Sequence, residues 1–266
     1  MAAGVGAEDL VLVTGAAGRV GSALRPGLRR ECRLRLLDRR PVEDLAEREE
    51  AVVADVRDLD QLRVAAGGCA AVVHLAAIPT DAPHEDLLDL NARGTYNALE
   101  AAVAAGCRRF VFASTNHVTG FYPTAARVTP EMPPRPDGLY GASKIYGEAL
   151  CRLFWDHYGL EVAVLRIGSS LDRPSAPRHA HTWLSDRDLV QLVWRSLSVP
   201  DLGWIVVYGG SAAREPYWDD GAARRRLGYA PVDDAGPLVP EGPPDTYQGG
   251  PEVGRRPISG KGGLQA

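Results

Sequence analysis

Leu10-Val11-Leu12-Val13-Thr14-Gly15-Ala16-Ala17-Gly18-Arg19-Val20-Gly21 decides the fold of this chain. The apolar run at its start has the length of a buried strand, and a helical pattern follows over residues 19–30. Between them stands Gly-x-x-Gly-x-x-Gly. In a strand–turn–helix of this kind, backbone amides at the helix start can cradle a pyrophosphate, because the glycines keep side chains out of its way. Glycine spacing by itself says little; the strand before it and the helix after it give it meaning. Gly15, Gly18, Arg19, Val20 and Gly21 are therefore candidate contacts to a dinucleotide.

Outward from that turn, strand and helix alternate. Apolar strands are expected at 33–37, 51–54, 70–75, 109–113 and 162–166, with helices at 59–66 and 85–105, the latter stopped by Gly106. Continuous apolar strands separated by helices imply a parallel sheet covered on both faces, a doubly wound α/β fold of Rossmann type. Residues 8–166 make the dinucleotide-binding domain. A small C-terminal substrate lobe is expected over 167–232, where a helix (186–197) and a strand (204–208) return. Residues 233–266, rich in Pro and Gly, form an irregular tail.

Composition excludes several classes. A net charge of −4 over 266 residues offers no basic face for nucleic acid. The first residues lack the pattern of a signal peptide, and no apolar run approaches the ~18 residues of a membrane span. Cys32, Cys69, Cys107 and Cys151 are widely spaced with no Cys-x-x-Cys, which fits reduced thiols in a cytoplasmic protein and no metal site. The positive charges are unusual: of 30 Lys+Arg, only Lys144 and Lys261 are lysine, leaving 28 arginines.

Lys144 has a partner. Tyr140-Gly141-Ala142-Ser143-Lys144 puts a phenol and an ammonium four residues apart on one helix face. A nearby cation stabilises phenolate and lowers a tyrosine pKa that is ordinarily about 10, as a general base near neutral pH requires. Arginine could not replace lysine as so compact a donor. A hydroxyl partner is expected at the carboxyl end of the fifth strand, where Ser114-Thr115-Asn116-His117 lies. Asp38 closes the second strand 17 residues after Gly21. An acid there accepts hydrogen bonds from the adenosine ribose and repels a 2′-phosphate, favouring NAD over NADP. Arg39 and Arg40 could instead cradle a phosphate. Asp55 and Val56 are placed to reach the adenine, though a solvated turn would read the same.

The glycine turn, His74-Leu75-Ala76-Ala77 after the fourth strand, Asn91-x-x-Gly94-Thr95 and Tyr-x-x-x-Lys together resemble the extended short-chain dehydrogenase/reductase family over about residues 9–230. The resemblance implies an NAD-dependent oxidoreductase. Tyr140, Lys144 and Thr115 would be its catalytic set, and Leu75, Ala76, Ala77 and Asn91 would lie at the cofactor. It also implies a homo-oligomer, since the helix bearing Tyr140 commonly forms the dimer contact in this family.

Phe112-Ala113-Ser114-Thr115-Asn116-His117-Val118-Thr119-Gly120-Phe121-Tyr122, Arg166-Ile167-Gly168-Ser169 with Arg178, Thr182-Trp183-Leu184-Ser185 and Tyr217-Trp218-Asp219 resemble uronate dehydrogenases. These oxidise the anomeric hydroxyl of cyclic galacturonate or glucuronate. The resemblance gives a small-molecule uronate substrate, with Arg178 on its carboxylate. Asn116, His117 and Ser169 would bind its hydroxyls and carboxylate. One departure stands out: Pro79 follows Ile78 where those enzymes tend to have serine, leaving Thr80 to supply any hydroxyl. Two other readings remain. One is an epimerase or dehydratase of another small sugar, against which the short C-terminal lobe counts; the other is a non-catalytic NAD-sensing protein, against which the intact Tyr140 and Lys144 count.

Overall fold

The computed structural model describes residues 3–240, 242–243, 245–251 and 253–254. The elements of the main sheet are β1 (Leu10–Thr14), α1 (Arg19–Leu28), β2 (Arg33–Asp38), β3 (Glu49–Val53), α2 (Leu59–Ala66) and β4 (Ala71–His74). A helical run follows as α3 (His84–Leu87), a π turn (Leu88–Arg93) and α4 (Gly94–Ala104). Then come β5 (Arg109–Thr115), a 3-10 turn (Asn116–Thr119), α5 (Leu139–Tyr158) and β6 (Glu161–Ile167). The C-terminal part adds β7 (Ser169–Ser170), α6 (His179–Thr182), β8 (Trp183–Leu184), α7 (Asp186–Ser198) and β9 (Trp204–Gly209).

Seven of the strands form one parallel sheet in the order β3-β2-β1-β4-β5-β6-β9. This is the doubly wound arrangement read from the alternating pattern. Side chains of successive strand residues point to opposite faces, so each strand feeds two cores. Val11, Val13, Leu34, Leu36 and Val111 join Leu24, Leu28, Leu189, Leu192 and Leu197 under α1 and α7. Leu12, Leu37, Val72, Phe110 and Phe112 join Leu62, Leu99, Leu150 and Phe154 under α2, α4 and α5. The four cysteines are buried and free, and no helix among the described residues is long and apolar enough to cross a membrane.

β1 hydrogen-bonds to β2 on one side and β4 on the other. The chain leaves these strands in opposite directions, so a crevice opens at their carboxyl ends. The helix expected over 85–105 is interrupted by its π turn, where Thr95 Oγ1 donates to Asn91 O at 2.6 Å. Widened turns of this kind often sit at functional sites.

The tail leaves the body as an irregular chain with one 3-10 turn (Gly236–Leu238) and then folds back. Gln248, 1 % exposed, is its anchor. Its N–H donates to Tyr122 O at 2.9 Å, its Nε2 to Ala126 O at 2.7 Å, and its Oε1 accepts from Trp218 Nε1 at 3.0 Å. The tail residues beyond Gly254 lie outside the described residues.

His74 closes β4 in complete burial, with Thr14 Oγ1 2.8 Å from Nδ1 and Thr95 Oγ1 3.3 Å from Nε2. Burial, reinforced by the Lys144 charge, pulls its pKa down to about 3. Between pH 6.5 and 3 the unfolded chain binds a proton here that the folded chain refuses. Stability therefore falls on acidification by about 1.4 kcal/mol per pH unit from this group. Urea unfolding should show the wild type losing stability relative to His74→Gln as the pH drops through that window; a constant difference would mean that the folded ring takes up the proton.

Candidate active site

The crevice is a cleft of about 480 Å3 lined by Gly15, Gly18, Arg19, Val20, Gly21, Asp38, Val56, Leu75, Ala76 and Ala77 among others. Its floor depends on glycine. Gly15 has φ +73°, and a Cβ there would lie 2.7 Å from Ala76 N; a Cβ on Gly21 would lie 2.6 Å from the carbonyl oxygens of Gly15 and Ala16. No side chain fits either place, and the backbone is left bare for a ligand. At the rim, Asp38 accepts from Ala17 N and Arg40 N, both at 3.0 Å, which fixes its carboxylate while leaving lone pairs free. Arg40 is turned back onto Ala17 O at 2.6 Å. The cleft thus fits a dinucleotide: a helix start cleared of side chains for phosphate, a carboxylate for ribose hydroxyls, an apolar wall for adenine.

Two residues expected at the cofactor also bond within the protein. Asn91 lines no wall of the cleft. Its Oδ1 accepts from Ile78 N at 2.8 Å, and its Nδ2 donates to Ile78 O at 3.1 Å and Ser143 Oγ at 2.9 Å. It clamps the loop after β4 onto the helix that carries Tyr140 and Lys144. Asp55 pairs with Arg57 at 2.6 Å in an outer groove, and Val56 alone of that dipeptide reaches the cleft. Pro79 lines the cleft. Two residues on, Asp81 accepts from Tyr140 N at 2.8 Å, satisfying an amide in the first turn of α5.

Tyr140 and Lys144 stand one turn apart on α5, and Tyr140 meets Thr115 at the end of β5. Thr115 ends its strand and starts the 3-10 turn, its Oγ1 accepting from His117 N at 3.2 Å. Burial pushes the Tyr140 phenol up to about 12, against the opposing hydrogen bond from Thr115. Lys144 is 3 % exposed, with Nζ 4.9 Å above the Phe112 ring, and burial pushes it down to about 8. In the ligand-free protein burial dominates the Tyr140 phenol, and the effect that opposes it comes from Thr115, not from the lysine.

Behind Thr115 and Lys144 lies support that the sequence reading passed over. Glu148, one turn beyond Lys144 on the same face of α5, accepts from Ser114 Oγ at 2.6 Å and from Arg166 Nη2 at 2.8 Å. Arg166 also reaches Tyr208 Oη at 3.2 Å, which in turn meets Thr119 Oγ1 at 2.8 Å. This buried, paired network holds the end of β5 against α5.

The residues expected at the substrate make these contacts. His117 lies edge-on to Tyr140, ring centroids 6.1 Å apart, with Nδ1 2.7 Å from Asp137 Oδ2. Arg178 donates from Nη2 to Gln248 O at 3.1 Å, and burial lowers its pKa against the attraction of Asp245, Tyr217 and Asp137. Asn116 Nδ2 and Arg178 Nε are buried donors that make no hydrogen bond among the described residues, Arg178 Nε standing 3.9 Å from Asp245 Oδ2. Ser169 is occupied with Thr182, Oγ to Oγ1 2.9 Å.

A drop in Lys144 from 10.5 to about 8 corresponds to about 3 kcal/mol spent on holding its charge in the fold. That cost is full below pH 8 and disappears as the pH rises to 10.5. Ligand-free Lys144→Met should therefore unfold at a higher temperature than the wild type at pH 7, by an amount that shrinks toward pH 10.5, while losing turnover. Equal or lower melting at pH 7 would show that the ammonium is solvated or paired.

A family model described as the NAD dependent epimerase/dehydratase family matches residues 11–234. The chain is 42 % identical to a uronate dehydrogenase of Agrobacterium fabrum over 85 % of each chain. To a uronate dehydrogenase of Pseudomonas syringae pv. tomato it is 38 % identical over 94 % of this chain and 95 % of that one. A solved structure of uronate dehydrogenase from Agrobacterium tumefaciens, a tyrosine-to-alanine mutant complexed with NAD, aligns with a TM-score of 0.87 and 39 % identity. That alignment covers 92 % of this chain and 96 % of that chain. The matched span takes in both the glycine cleft and the Tyr140–Lys144 helix, and the chain belongs to the NAD-dependent epimerase/dehydratase family, where it is similar to the uronate dehydrogenases.

Proposed function

We propose that this chain oxidises the C1 hydroxyl of a cyclic hexuronate, galacturonate or glucuronate, to the aldaro-lactone with NAD+. One observation carries the reading beyond an unspecified alcohol: Asn116 Nδ2, next to His117, and Arg178 Nε, whose nearest carboxylate is Asp245 at 3.9 Å, are buried donors that make no hydrogen bond among the described residues. An unpaired buried donor is costly. An anionic sugar satisfies both, with the guanidinium on its carboxylate.

In this reading the amides at the start of α1 hold the pyrophosphate, Asp38 accepts from the adenosine ribose, and Val56, Leu75, Ala76 and Ala77 wall the site. The tied-back Arg40 and the Asp38 carboxylate favour NAD+ over NADP+. Lys144 donates to the nicotinamide ribose and stabilises the phenolate of Tyr140. Thr115 orients the C1 hydroxyl, and Tyr140 takes its proton onto Oη. Bound NAD+ supplies the acceptor for the hydride that leaves C1 as C1 becomes the lactone carbonyl. Ser169 acts through Thr182 at the edge of the sugar site. The reading includes a cytoplasmic location and a homo-oligomer. Tyr146, Leu153 and Tyr158 of α5, with Tyr96 of α4, expose apolar surface suited to a second copy.

Steady-state kinetics with NADH absorbance tests it. Tyr140→Phe should lose at least a thousandfold in kcat with NAD+ affinity within threefold of wild type. Arg178→Ala should raise KM for uronate tenfold or more with kcat and NAD+ affinity little changed. Retained turnover in the first variant, or an unchanged KM in the second, would overturn the assignment.

A further inference from the structure

Asp137 takes no part in the chemistry above, yet the fold makes unusual room for it. Its carboxylate is 5 % exposed and wedged between two glycines: a Cβ on either Gly120 or Gly249 would fall 1.8 Å from Asp137 Oδ2. Those glycines are joined by a hydrogen bond from Gly249 N to Gly120 O at 3.0 Å, so the tail and the turn after β5 close around the carboxylate together. Among the described residues its one side-chain hydrogen bond is to His117 Nδ1, at 2.7 Å, and its N–H donates to His117 O at 3.3 Å. Arg178 is near enough to be drawn electrostatically toward it.

An ionised carboxylate only accepts hydrogen bonds. His117 Nδ1 must therefore carry the hydrogen, and in the neutral ring Nε2 keeps its lone pair. Nε2 has no hydrogen bond within the described chain, and its ring stands edge-on to Tyr140. Resting on the uronate reading, we propose that Asp137 is a positioning residue that locks His117 in the Nδ1–H tautomer, making Nε2 an acceptor for a sugar hydroxyl. A carboxylate would be repelled by that lone pair and goes instead to the donors of Arg178 and Asn116. The two polar ends of the substrate are thereby assigned to different residues, and the site selects orientation as well as charge.

Nitrogen-15 NMR of the ligand-free, histidine-labelled protein at pH 8.5 reads the tautomer directly, with His117→Gln used to assign the signals. The wild type should show a pyrrole-like Nδ1 and a pyridine-like Nε2 at His117, and Asp137→Asn should shift hydrogen to Nε2. A pyrrole-like Nε2 in the wild type, or an unchanged tautomer in the variant, overturns the proposal. This measurement needs no substrate, so it stands apart from the uronate reading, which fails separately if no hexuronate is oxidised. With an active sugar, Asp137→Asn should raise KM about tenfold with kcat within threefold. In a His117→Gln background it should add nothing further; additive losses would make Asp137 merely structural and contradict its action through His117.

Discussion

The backbone of Gly15 runs against that of Ala76, too close for any side chain between them, and the carboxyl end of the sheet is arranged around that approach. It exists because β1 is paired on both sides by parallel strands whose connections diverge. The turn is pinned from several directions: Ala16 N donates to Leu37 O at 3.1 Å, and Ala17 N to Asp38 Oδ2 at 3.0 Å. The amides that would meet a phosphate are therefore oriented before a ligand arrives, which lowers the ordering cost of binding. The same sheet sets Thr115 and the end of β6 a few strands away, so cofactor and substrate are brought to one rim.

Against this rigid floor, the treatment of charge on α5 is selective. Glu148 and Arg166 are buried as a pair with their hydrogen bonds satisfied, the condition under which a buried ion pair is tolerated. Lys144, one turn away, is buried over an aromatic ring with no carboxylate bonded to it among the described residues. Its burial is a destabilisation tolerated for function, as active sites often require. A compact ammonium fits beside Phe112 where a guanidinium, broader and always charged, would not. In a chain with 28 arginines and two lysines, the exception marks the place where that difference matters.

Much of this was legible in the sequence because it is local. Apolar strands bounded by glycine, and a Tyr-x-x-x-Lys on one helical face, announce themselves through short spacings; β1, β2, β4, β5 and β6 fall where the pattern put them to within a residue or two. What distant contacts decide was hidden. Asn91 looked like a cofactor contact, but Ile78 and Ser143 claim its amide from elements 13 and 52 residues away. Asp137 is one of many acids in the sequence; only the meeting of Gly120, Gly249 and His117 sets it apart. The Pro/Gly-rich tail gave no periodicity to read, and its order comes from Gln248 reaching partners more than a hundred residues earlier. A polar residue inside such a stretch carries no local sign that it will be buried.

The central claim is a net hydride transfer from C1 of a hexuronate, which separates this chain from members of its family that return the hydride to the sugar. The most direct measurement is turnover of galacturonate and glucuronate deuterated at C1, with the nicotinamide product followed by mass spectrometry and proton NMR. The account predicts stoichiometric deuterated NADH, a lactone without deuterium at C1, and no NADH from the neutral hexoses at the same concentration. Deuterium retained in an epimerised or dehydrated sugar, with no accumulated NADH, would contradict it.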